Sequence, residues 1–84
     1  MKKRKLLAKA LARSRNLRFD DLVVLVESFG FRLDRVSGSH HIFLHPKVER
    51  PLNLQNLHGK AKQYQVHQFL EMIEEYNLEL GDEP

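Results

Sequence analysis

Two stretches of the chain repeat apolar residues at helical spacing, and the region between them alternates at strand spacing. Leu17 to Gly30 reads as the first helix, because Phe19, Leu22, Val23, Val26 and Phe29 recur every three or four residues. Asp20 and Asp21 in its first turn suit the helix dipole, and Gly30 is the expected stop. Phe31 to Ser37 alternates Phe31 and Leu33 with Arg32 and Asp34, a strand pattern. Gly38-Ser39 then turns the chain into His40-His41-Ile42-Phe43-Leu44-His45, a run closed by Pro46, so the two strands form a hairpin. Residues 46–51 read as a polar connection, Leu52-Asn53-Leu54-Gln55 as a third short strand and His58-Gly59-Lys60 as a loop. Tyr64 to Tyr76 is the second helix, with Val66, Phe69, Leu70 and Ile73 as its inner stripe and Glu71, Glu74 and Glu75 mainly outside.

This order predicts an α+β domain in which a three-stranded antiparallel sheet carries both helices on one face. Successive strand residues point to opposite sides, so His40, Ile42 and Leu44 share one face, and His41, Phe43 and His45 the other. Two aliphatic side chains assign the first set to the core and leave His41 and Phe43 on the open face. The expected core is Val23, Val26, Phe29, Ile42, Leu44, Val66, Phe69, Leu70 and Ile73. Residues 1–16 form a basic arm of helical tendency with Leu7 and Leu11 four apart, residues 17–80 the domain, and residues 81–84 a tail.

Charge changes this picture by giving the molecule sides. Residues 1–18 carry eight Lys and Arg and no acid, residues 31–62 a net +4, and residues 63–84 six acids with no Lys or Arg. Two basic segments and an acidic end point to a polyanionic partner on one side. The chain has 84 residues, enough for one small domain, and no cysteine, which fits a reducing compartment and excludes thiolate metal sites. No apolar run approaches the ~20 residues that span a bilayer, and the expected location is cytoplasmic.

Candidate chemistry concentrates in the histidine strand. Three of the five histidines fall between Gly38 and Pro46, and an imidazole titrates near neutral pH, so it serves as general acid or base. Metal binding fits poorly: on a strand, His41 and His45 stand ~13 Å apart at ~3.3 Å per residue. The expectation is no metal and no cofactor.

The element order and the run Gly38-Ser39-His40-His41-Ile42-Phe43, with Gly30-Phe31 before it and a His-Pro and a Gly-Lys after it, resemble the HicA family of bacterial toxins. The resemblance covers roughly residues 19–78 and excludes the arm. It implies a double-stranded-RNA-binding-domain-like α-β-β-β-α fold, messenger-RNA interferase activity and a HicB-like antitoxin partner. The family's Gly-Ser-x-His segment places the catalytic histidine on His41, with His40 beside it as a second candidate. Phe43 is then expected to stack on an unpaired base, Lys60 and Lys62 to hold phosphate, and Gly38, Ser39 and Lys47 to complete the RNA-binding set. Two other classes stay open: an RNA-binding module that does not cleave, and a subunit that binds only another protein.

Overall fold

The structure, a computed structural model, describes residues 7, 8, 10, 11 and 17–81. Along the chain run helix α1 (Phe19–Ser28), strands β1 (Arg32–Ser37), β2 (His40–His45), β3 (Val48–Leu57) and β4 (Lys60–Ala61), and helix α2 (Gln63–Glu75). The four strands form one antiparallel sheet in the order β1-β2-β3-β4. The fold is therefore α+β and compatible with the expected α-β-β-β-α order, with one strand more.

That fourth strand begins at the end of the expected loop at residues 58–60: His58-Gly59 form the turn and Lys60 opens the strand. His58 and Gly59 adopt φ of +53° and +85°, the left-handed pair that a two-residue hairpin of the primed kind needs. Asn56 Oδ1 accepts the Gly59 N–H at 2.7 Å and steadies the turn. The third strand is also longer than its alternating core. It starts at Val48 because Pro46-Lys47 forms a tight turn that sets His45 opposite Val48.

Both helices cover one side of the sheet. Leu22, Leu25 and Val26 of α1 and Phe29 just after it meet Val66, Phe69 and Met72 of α2 over Phe43, Val48, Leu52 and Leu54. The Phe29 and Phe31 rings stand edge-on to Phe69, with centroids 5.6 and 5.9 Å away. At one lateral edge Arg18 bridges to Lys60; at the other β1 is exposed along its whole length.

The facing of β2 is opposite to the expectation. Phe43 is fully buried (0% exposed) and Leu44 is 45% exposed, so His41, Phe43 and His45 look toward the helices and His40, Ile42 and Leu44 away from them. Cross-strand pairing gives the reason. Phe43 lies opposite Leu52, His41 opposite Leu54 and His45 opposite Val48, and these three β3 residues are all buried. The two imidazoles serve as flat packing surfaces: His41 lies on Phe19 with ring centroids 4.7 Å apart, and His45 on Phe31 at 4.9 Å. Ile42 is half-buried and Leu44 exposed, so neither is the core residue expected; Leu25, Met72 and Phe43 take those places.

Most of the expected arm and the tail after Gly81 lie outside the described residues. Within the arm, Leu7, Ala8, Ala10 and Leu11 are helical, Ala10 is buried and Leu7 packs on the core.

Urea denaturation tests the facing of β2. Phe43→Ala is expected to destabilise the fold by about 3–5 kcal/mol through the cavity it leaves, and Leu44→Ala by less than ~1 kcal/mol. The reverse ranking would restore the original facing.

Candidate functional site

The β1–β2 turn gathers Gly38, Ser39, His40 and His41. Gly38 takes φ +59° at the first of the two turn positions while Ser39 keeps a negative φ, the type II′ pattern that places glycine at that position. An added Cβ there meets nothing within 4 Å, so backbone conformation rather than space requires glycine. Across the turn, Ser37 pairs with His40 and Val36 with His41.

Ser39 is the hub. Its carbonyl oxygen accepts the Asn56 N–H at 2.9 Å, and His41 Nδ1 lies 3.3 Å from the same atom. A carbonyl only accepts, so Nδ1 carries a proton, and in the neutral ring Nε2 holds the lone pair. Nε2 has no hydrogen-bond partner among the described residues. The ring is half-buried, clamped by Phe19 below and its Nδ1 contact behind.

The other two histidines of the strand differ in this respect. His45 has both nitrogens engaged: Nδ1 accepts the Lys47 N–H at 3.0 Å, and Nε2–H donates to the Phe29 carbonyl at 3.0 Å. It ties the end of α1 to the β2–β3 turn, and Gly30 leaves it room, since a Cβ there would lie 3.0 Å from Nε2. His40 lies on the opposite side of the sheet, with Nδ1 3.1 Å from Asn53 Oδ1.

A chain of amides braces the turn from behind. Gln65 in the first turn of α2 is buried, and its Oε1 accepts the Gln55 backbone N–H at 2.7 Å. The Gln55 side chain donates from Nε2 to Ser39 Oγ at 3.2 Å. Sequence reasoning missed both glutamines. A Gln beside Val66 on a helix that buries Val66 is the available signal, because buried polar side chains carry hydrogen bonds.

The remaining candidates separate. Phe43 is enclosed in the core and offers no face to a base, which corrects its expected stacking role. Lys47 sits in the turn at the far end of β2, beyond His45, and so more than ~13 Å along the strand from His41. Lys60 and Lys62 lie on and after β4, linked to the His41 environment through α1: Phe19, whose ring supports His41, donates its N–H to the Gly59 carbonyl at 2.9 Å. Among the described residues, no cluster of three or more His, Asp or Glu could hold a metal ion.

The amide brace has a measurable consequence. Gln65→Leu leaves the half-buried Gln55 N–H without its acceptor, so it is expected to destabilise the fold by about 1 kcal/mol in urea. Hydrogen exchange at Gln55 should accelerate, whereas Gln65→Glu, which keeps an acceptor, should preserve its protection.

Comparison with known proteins yields one finding. Searches of the curated proteins and of the solved structures return no match. The family model described as the HicA toxin of bacterial toxin–antitoxin systems matches residues 19–73, from the first residue of α1 into α2, and so contains the His41 turn and the amide brace. The match spans well over half of the chain, and the protein belongs to the HicA family of toxins from bacterial toxin–antitoxin systems.

Proposed function

We propose that this HicA-family toxin is an endoribonuclease that cuts messenger RNA without a metal ion, with His41 as the proton-transferring group. The observation that carries the reading is the setting of that imidazole: Nδ1 is tied to the Ser39 carbonyl, and Nε2 has no partner among the described residues. An orienting acceptor on one ring nitrogen and a free basic nitrogen on the other is the arrangement a general base requires.

The reaction follows from that geometry. Nε2 takes the proton of a ribose 2′-hydroxyl, and O2′ attacks the adjacent phosphorus. The O2′–P bond forms as the P–O5′ bond breaks, leaving a 2′,3′-cyclic phosphate and a 5′-hydroxyl. The departing O5′ takes a proton from an acid, which the His41 imidazolium supplies after rotation of substrate groups or which water delivers. Lys60 and Lys62 hold neighbouring phosphates by charge, and the Gly38-Ser39 turn keeps backbone bulk away from the scissile group. His40, on the other side of the sheet, supports the turn through Asn53 rather than joining the chemistry. The HicB-like antitoxin that family membership implies would silence the enzyme by covering His41.

His41→Gln is expected to lower cleavage of single-stranded RNA by 10²–10⁴-fold, the usual contribution of a general acid–base group, with chelator present throughout. His40→Ala should retain most activity. Products should end in 2′,3′-cyclic phosphate, and a 2′-deoxy substitution at the cleaved nucleotide should block the reaction. RNA binding without cleavage by the unmodified protein would instead identify a binding module.

A further inference from the structure

Tyr64 is an exposed aromatic side chain that takes no part in the core or in the His41 turn. It stands on the first turn of α2, 60% exposed, although Gln65 and Val66 beside it are buried. Lys62 Nζ lies 5.7 Å from its ring centroid, within cation–π range. The two side chains help to line an open depression of about 740 Å³, together with Leu57, His58 and Lys60. Among the described residues, no carboxylate lines it. An exposed tyrosine with an exposed leucine, two lysines and a histidine around it presents an apolar ring face inside a cationic surround.

We propose that Tyr64 is the base-stacking residue of this protein, and that the depression takes an unpaired nucleobase of RNA whose flanking phosphates meet Lys60 and Lys62. The ring supplies a stacking face that any base satisfies, and the lysines supply the charge that tracks the backbone. Duplex RNA buries its base faces in its own stack and cannot use such a platform, so the site selects single strands. It takes the role expected of Phe43, which the core encloses. The platform is linked to the candidate catalytic group through the start of α1. Lys60 bridges to Arg18 and the Gly59 carbonyl accepts the Phe19 N–H, while the Phe19 ring supports His41. The inference rests on the reading of this protein as RNA-directed, but it does not require that the RNA be cut.

The test uses the full chain and a single-stranded 2′-O-methyl oligonucleotide carrying 2-aminopurine, which the proposed chemistry cannot cleave. The unmodified protein should bind it and quench the fluorescence through stacking. Tyr64→Ala should weaken binding by about 5- to 150-fold, the range that loss of one stacked base gives, and abolish the quenching. Tyr64→Phe should restore both. Lys60→Ala with Lys62→Ala should flatten the salt dependence of binding, which Tyr64→Ala leaves unchanged. Binding of a matched RNA duplex should be unaffected by Tyr64→Ala. Unchanged single-strand binding by Tyr64→Ala, or equal losses on duplex and single strand, overturns the platform. No RNA binding by the unmodified protein overturns both the platform and the nuclease reading. A Tyr64-dependent protein that binds but never cleaves a natural RNA sustains the platform and removes only the nuclease reading.

Discussion

Burial of Phe43 against Leu52 is the constraint on which the site depends. Strand side chains alternate strictly, so placing one β2 residue in the core decides the direction of the other five. With Phe43 inward, His41 must face α1 and His45 must face Phe31. His41 is thereby a supported imidazole rather than a free surface group. Phe19 backs its ring and Ser39 holds Nδ1, so the nitrogen left over is presented from a fixed position. A group held this way loses little freedom when a substrate arrives, which is how positioning lowers a barrier.

Three histidines on one strand illustrate how environment rather than residue type sets a role. His45 spends both nitrogens on backbone partners and acts as a tie between α1 and the β2–β3 turn. His40 meets Asn53 on the uncovered face. His41 uses one nitrogen structurally and keeps the other. The tautomers of His41 and His45 are opposite, because one faces a carbonyl through Nδ1 and the other a backbone N–H. The same side chain is thus a lock in one place and, in the proposed reaction, a proton acceptor in the other.

Much of the architecture was legible before the structure. Apolar periodicity found both helices, and the Gly38-Ser39 turn and its hairpin stand where the sequence puts them. The facing of β2 was misjudged because two aliphatic side chains were weighed against one phenylalanine, with the histidines left uncounted. Hairpin parity held the better signal. A two-residue turn at Pro46-Lys47 pairs 45 with 48, so the even-numbered Val48, Leu52 and Leu54 must share a face with the odd-numbered residues of β2. The extra residues of β3 opposite the Phe43–His45 stretch leave that parity intact. β4 was hidden because two residues are too few to alternate, and it depends on left-handed backbone at His58, a residue that rarely announces it. The Gln55–Gln65 brace was hidden for another reason: it joins residues ten apart through a tertiary contact that no local pattern encodes.

The central claim is that proton transfer at His41 Nε2 limits RNA cleavage. Its most direct test follows the ¹⁵N-labelled His41 ring by NMR through a pH titration while cleavage of single-stranded RNA is measured over the same range. The expected result is a neutral ring protonated at Nδ1 and a cleavage rate that rises, with the same midpoint, as the His41 ring loses its proton. A neutral ring protonated at Nε2, or a cleavage rate that passes unchanged through the His41 titration, would contradict it.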